Sequence, residues 1–404
     1  MPPTQDRFDY TIDHYYTAHE PRSNRVLRII ATIATGATVY GTVLLGGDVT
    51  KGIQEGKEAV QYSHSQVHDI APMSSELNPM YKQHGTFVLT GLGTKNPSAT
   101  AEQLRVHREV GEVFGIEYSN QDLNIKEMAN QVIEKARAAR LQAISLDGYS
   151  AGGLIGLAIA AYIHEHAPDL FVASVVLNST PVGPDSLSEQ SARGIALMNH
   201  ILSLSEDFKY YLHGRIAVEV LNRSERYMRR IDDSAGSHFE IDGVNSFSYG
   251  GSTYRIDYGA LRREIMDVSH KMEQQDTASS SLIDSQAHFI VEANYAHYIA
   301  SLDPMTYVVY TGSQNPSQDS VVNIPASVAC ITRSLDAHHQ RYDIFLGNVG
   351  HANPTERMPE YIKLHEKIHA RLTQGLSLLY LKHLMEDQDA AGHSVNALGI
   401  RPPR

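Results

Sequence analysis

Cysteine is nearly absent from this chain. Cys330 stands alone, which excludes an internal disulfide framework and any cysteine-rich zinc site. That scarcity leaves the compartment open, because disulfide-free proteins occur on both sides of a membrane. Basic charge is also in short supply: Lys and Arg number 34 against 46 Asp and Glu, a net charge of −12. With neither a basic patch nor a nucleic-acid-binding motif, binding to a phosphate backbone has little to work with, and no nucleic-acid partner is expected. Internal repeats and long low-complexity tracts are missing as well; Thr277–Ser281, "TASSS", reads as a short loop.

One stretch lacks charge entirely. Ile29–Gly47, "IIATIATGATVYGTVLLGG", would span roughly 28 Å as a helix, close to the thickness of a bilayer core. Threonine and glycine hold its mean hydropathy to about 1.5. Arg22, Arg25 and Arg28 precede it and Asp48 follows, a polarity that favours a cytoplasmic N-terminus and an exported, extracytoplasmic body. A cleaved signal peptide fits less well, since the preceding tail carries Asp6, Asp9, Asp13 and Glu20 and no A-x-A site follows. The alternative is a buried helix or a hairpin of β-branched strands in a cytoplasmic protein.

From about residue 85 apolar runs alternate with amphipathic helical stretches. This predicts an α/β fold with a mostly parallel sheet and helices on both faces. Gly85–Gly93 ("GTFVLTGLG"), Gly115–Asn120, Ala143–Leu146, Phe171–Pro181, Met305–Gly312 and the start of Tyr342–Pro354 read as strands. Between Ile125 and Leu141 helical periodicity turns Met128, Val132, Ile133 and Ala136 inward. The alternation breaks between about 182 and 300, where a mainly helical, Tyr-rich cap insertion is expected. The resulting division is a polar tail at 1–28, the candidate transmembrane anchor at 29–47, a linker or N-terminal extension at 48–84, an α/β core at 85–181 and 301–385 around the cap at 182–300, and a C-terminal tail at 386–404.

Gly148-Tyr149-Ser150-Ala151-Gly152 matches G-x-S-x-G and falls between a short buried strand and a Leu/Ile/Ala-rich helix, Leu154–His164. That setting requires small residues at 148 and 152, places Ser150 in a strained backbone conformation, and aims the helix N-terminus at charge forming beside its hydroxyl. A serine nucleophile needs a base and a group to orient that base. With 21 histidines in the chain, position is the discriminating feature, because reacting residues in such sheets lie beyond the carboxyl ends of strands. His351, in "GNVGHANP" after "YDIFLG", and Asp319, in "SQNPSQDSVV" after "YVVYTG", meet that condition.

In the order Ser, acid, His, over roughly residues 85–385, the chain resembles the α/β-hydrolase family. The resemblance implies a cofactor-free serine hydrolase with the triad Ser150, Asp319 and His351, and an oxyanion hole made by the N–H groups of Ala151 and Leu92. Thr90 stands where many members have histidine, and the long acid loop leaves Asp336 as a second candidate carboxylate. A moderately apolar small acyl substrate is expected from the aromatic and aliphatic content of the cap. No metal is expected. Two rivals stand beside this reading. One is a non-catalytic member that binds a ligand through the same cleft. The other is a zinc hydrolase, since His365-Glu366-Lys367-Ile368-His369 matches H-E-x-x-H. Against it, Lys367 puts a cation beside the metal and no third ligand follows. The apolar stripe Leu364, Ile368, Leu372, Leu376, Leu379 makes this a sheet-packing helix with both histidines at its border. His338 and His339 are expected on a solvated helix face.

A signal anchor at Ile29–Gly47 predicts that full-length protein sediments with membranes and resists carbonate extraction, while removal of about the first fifty residues leaves a soluble, active enzyme. Soluble full-length protein together with an aggregated truncation would identify the segment as core instead.

Overall fold

The computed structural model describes residues 64–70, 81–189, 191–192, 195, 226–232, 246–249, 252–273, 278–352, 354, 357–374 and 376. The candidate anchor Ile29–Gly47, the tails at 1–28 and 386–404, and Leu379 lie outside these residues. Among the described residues no helix is long and apolar enough to cross a membrane.

In chain order the elements that build the main sheet and its cover are β1 (Gln66–Asp69), β2 (His84–Leu89), α1 (Ser98–Gln103), β3 (Glu112–Glu117), α2 (Ile125–Ala138), β4 (Ala143–Tyr149), α3 (Ala151–His166) and β5 (Phe171–Asn178). After β6 (Met228–Asp232), β7 (Ser246–Tyr249), β8 (Ser252–Ile256) and α4 (Tyr258–Glu273) come α5 (Ser280–Glu292), α6 (Tyr295–Ala300), β9 (Tyr307–Ser313), α7 (Ile324–Ala337) and β10 (Tyr342–Gly347). A last helix, α8, covers residues 358–374. The seven-stranded sheet runs in the order β1-β3-β2-β4-β5-β9-β10. All neighbours are parallel except β1, which is antiparallel to β3.

The central strands are buried almost end to end and mostly apolar because both faces are covered. Along β5, Val172, Val175 and Leu177 join the large core beneath α2, α3, α5 and α7, whereas Ala173 and Val176 meet Leu372 and Ile368 of α8. The strand thus feeds both helical layers, with its alternation shifted by one residue at the irregularity between Val172 and Ser174. Twelve residues of α3 are buried, and it packs on β4, β5, α2 and α6; each fully buried Leu or Ile there contributes about 1.5–3 kcal/mol. Asn124 caps α2 by accepting from the Glu127 N–H at 3.0 Å, and Met128, Val132, Ile133 and Ala136 face inward as the periodicity requires.

Four features depart from the sequence expectations. β1 lies within the presumed linker; its short polar "QVHD" is an exposed edge strand with no apolar run to announce it. β3 begins at Glu112, three residues before the expected Gly115, because Glu112–Gly115 pair with Gly85–Val88 of β2. The segment expected to be a mainly helical cap contains a three-stranded antiparallel sheet, β6-β8-β7, in a compact unit that includes Arg226–Arg263. Two residues, Gly250-Gly251, separate the paired Tyr249 and Ser252; this hairpin dipeptide is the cue that the helical reading passed over. Finally, α5 and α6 belong to the main body although the cap was drawn to residue 300: Leu282, Ile283, Ala287, Ile290 and Ile299 are buried in the large core.

Candidate active site

The sheet's carboxyl edge assembles the site. β4 passes directly into α3 through Ser150, whose backbone stands at φ 53° and ψ −124°. A side chain at Gly148 would fall on the Gly152 backbone, and a Cβ at Gly152 would lie 2.5 Å from the Thr90 carbonyl. The turn therefore closes only with glycine at both places. The Ser150 N–H donates to the Asn178 carbonyl at the end of β5, 2.8 Å away.

Three of the expected residues meet here. His351 follows β10 and Asp319 follows β9. The Ser150 Oγ lies 3.0 Å from His351 Nε2, and His351 Nδ1 lies 3.0 Å and 3.2 Å from the two Asp319 carboxylate oxygens. Asp319 Oδ1 also accepts from the N–H groups of Val321 (3.0 Å) and Val322 (2.8 Å). Burial alone would raise the Asp319 carboxyl; the His351 contact and these two amides outweigh it and hold the group below the ordinary carboxylate range. Asp336 is not brought to the histidine. It is exposed and accepts from the Tyr342 hydroxyl at 2.8 Å, and His338 and His339 are exposed as expected.

The turn after β2 passes close beside the serine, since a Cβ on Gly91 would stand 2.8 Å from Ser150 Cβ. Ala151 is the first residue of α3, and Leu92 lies in this turn. Among the described residues neither N–H donates to a protein acceptor. Neighbouring groups hold the turn in place: the Tyr118 hydroxyl donates to the Thr90 carbonyl (2.7 Å), Thr90 Oγ1 donates to the Thr94 carbonyl (3.0 Å), and the Gly93 N–H donates to Gln286 Oε1 (3.2 Å). The Thr90 hydroxyl is thus spent within its own turn.

Beneath the elbow lies a polar floor that the sequence reading did not identify. Asp147, 1% exposed, sits on β4 three residues before the serine. Asn178 Nδ2 donates to Asp147 Oδ1 at 2.6 Å, and Thr311 Oγ1 donates to Asn178 Oδ1 at 2.7 Å, so β4, β5 and β9 are tied together at one level. His107 Nε2 stands 2.7 Å and His365 Nε2 3.8 Å from Asp147 Oδ2. Burial would raise the Asp147 carboxyl, but His365, His107 and the Asn178 amide hold it low.

The expectation that His365 and His369 border α8 is overturned: they are 0% and 6% exposed. The buried face of α8 is wider than its apolar stripe, because Asp147, Tyr149 and His107 offer it polar partners inside. Burial brings the His365 pKa down to about 4 against the pull of Asp147, and brings His369 well below its ordinary value. Glu366 is exposed. A second Ser–His contact, His84 Nε2 to Ser145 Oγ at 2.8 Å, is sealed in the sheet, where Ser174 also donates to Ser145. A mid-strand serine buried in this way offers no surface to a substrate. The cue for the floor was available in the sequence as a charged Asp147 inside an apolar strand.

No family model matches the chain, and no curated protein matches it in sequence. Solved structures resemble it in fold. The enol-lactonase from Burkholderia xenovorans LB400 matches 78% of this chain over 98% of its own length, at TM-score 0.46 and 15% identity. An esterase from Exiguobacterium antarcticum matches 78% over 97%, at 0.46 and 13%, and a hydrolase from Oleispira antarctica 78% over 96%, at 0.43 and 10%. Such distant sequences carry no residue roles across.

Asn178→Ala removes the amide that Asp147 accepts from and leaves a buried carboxylate short of a partner. It should destabilise the protein by about 1–3 kcal/mol, read as a lower denaturation midpoint at unchanged slope; an unchanged midpoint would show that the cross-sheet tie is idle.

Proposed function

Starting from the α/β-hydrolase fold, to which the sheet order and the strand–Ser150–helix turn assign this chain, we propose a serine hydrolase that cleaves a carboxylic ester or related acyl bond through an acyl-serine. The observation that carries the proposal is the unbroken contact from Ser150 Oγ to His351 Nε2 at 3.0 Å and from His351 Nδ1 to Asp319 at 3.0 Å. His351 takes the Ser150 proton as Oγ attacks the acyl carbon. The N–H groups of Leu92 and Ala151 receive the oxyanion, aided by the positive end of α3. His351 returns the proton to the leaving alkoxide. It then deprotonates a water that attacks the acyl-serine, releasing the acid and restoring Ser150. Asp319 selects the tautomer with the proton on Nδ1, which leaves Nε2 free to accept from Ser150.

The substrate we propose is a small, moderately apolar acyl compound, on the aromatic and aliphatic content of residues 182–300. The zinc-hydrolase reading loses support because Glu366 is exposed while the two histidines beside it are buried, so no water activated by Glu366 shares their site. A ligand-binding role without catalysis would leave the serine–histidine–aspartate contacts without a use.

Ser150→Ala should abolish both labelling by a fluorophosphonate probe and turnover of short p-nitrophenyl esters while circular dichroism stays unchanged; persistent labelling would move the nucleophile elsewhere. Asp319→Asn should lower kcat by about a thousandfold or more through loss of tautomer control, whereas Asp336→Asn should leave it within error, and exchanged outcomes would reassign the acid. Glu366→Gln should turn over esters at the original rate. A large loss in that variant would return the metal-hydrolase reading.

A further inference from the structure

The buried face between β4 and α8 gathers three histidines from distant parts of the chain. His107 belongs to a short 3-10 segment, Arg105–Val110, and His365 and His369 stand four residues apart on α8, hence on one helical face. One nitrogen of each ring lies within 4.8 Å of the other two, and all three side chains are buried. We propose that His107, His365 and His369 form a closed site for a divalent transition-metal ion of the zinc class, with Asp147 orienting His107 and balancing part of the charge.

Hydrogen bonding alone leaves this cluster incomplete. The three rings face one carboxylate, one phenol and one carbonyl: His107 Nε2 stands 2.7 Å from Asp147 Oδ2 as an ion-pair contact, His107 Nδ1 meets His369 Nε2 at 3.3 Å, His365 Nε2 meets the Tyr149 hydroxyl at 3.1 Å, and His369 faces the Val106 carbonyl. His365 Nδ1, fully buried, has no hydrogen-bond partner. An unmet buried polar atom costs about 1–3 kcal/mol. A cation that takes His365 Nδ1 as one of its donors would relieve that shortage.

The geometry is close to what such an ion needs. A tetrahedral zinc bound at about 2.0–2.1 Å requires its nitrogens roughly 3.3 Å apart. The His107–His369 pair already has that spacing, and the remaining approach is within the reach of small rotations of the rings. Asp147 beyond His107 supplies the carboxylate–histidine arrangement that fixes a ligating imidazole. Imidazole donors select zinc-like ions over magnesium or calcium, which prefer oxygen. The site is sealed, so its role is structural: the ion would clamp α8 and the His107 segment, 262 residues apart, beneath the strand that carries Ser150. This goes beyond the serine mechanism and is independent of it.

The test uses the untagged full-length chain. Elemental analysis after dialysis against Zn²⁺ and then buffer should give about one zinc per chain, and the thermal midpoint should rise with added Zn²⁺ and fall on chelation. Co²⁺ in place of zinc should give the intense visible bands of a tetrahedral nitrogen-bound ion. His107→Asn and His369→Gln should each lose the bound metal, whereas His338→Gln with His339→Gln should keep it. Absence of retained zinc in the unmodified chain, or the weak spectrum of an octahedral surface-bound Co²⁺, overturns the proposal, as does zinc retained in both cluster variants. Because the metal content and the Co²⁺ spectrum are read on the unmodified protein, they decide the case even if a variant fails to fold.

Discussion

Ser150 occupies a backbone conformation with positive φ that a non-glycine residue adopts only at a cost of about 1–3 kcal/mol, and the surrounding structure has to hold it there. Two supports do so. The Ser150 N–H is engaged by the Asn178 carbonyl, and the α3 backbone is pressed so near Thr90 that residue 152 cannot carry a Cβ. The serine hydroxyl therefore projects from a fixed point at the end of β4. His351 and Asp319 need only be delivered to that point by β10 and β9, which the parallel sheet does because both strands end on the same edge.

The strained turn rests on a polar floor rather than an apolar one. A fully buried carboxylate is costly unless it is paired. Asp147 is paired on one side by Asn178 and on the other by imidazoles from the 105–110 segment and from α8. Placing this group in the central strand ties three strands and two covering segments to one level of the sheet. An apolar residue there would pack, but it would not fix the register between the end of β4 and the end of β5, and that register sets the Ser150–Asn178 contact.

How much was legible follows from which signals burial leaves in a sequence. The central strands read clearly because a strand covered on both faces is a continuous apolar run. Ser150, Asp319 and His351 read clearly because they combine a local motif with a place just beyond a strand. β1 left no trace, since an edge strand of four residues with one apolar side chain, Val67, shows no alternation to read. The β6-β8-β7 sheet is hard to read because its polar, Tyr-rich strands show little alternation, and only Gly250-Gly251 between them in the sequence signals a hairpin. The apolar stripe of α8 puts His365 and His369 at its border, yet both are buried. A buried face also includes polar residues whose partners come from elsewhere, and here those partners, His107 and Asp147, are more than 200 residues away in the chain. No local pattern could bring them together.

The separation of the three contact residues also bears on biogenesis. Chains are synthesised from the N-terminus and domains fold as they emerge. Ser150 leaves the ribosome 201 residues ahead of His351. Until β9 and β10 add to the sheet, the hydroxyl has no neighbour able to remove its proton, and a neutral hydroxyl is a poor nucleophile. Under the serine mechanism proposed above, the nascent polypeptide thus carries an inert serine through most of its elongation, and hydrolytic competence arrives with β10.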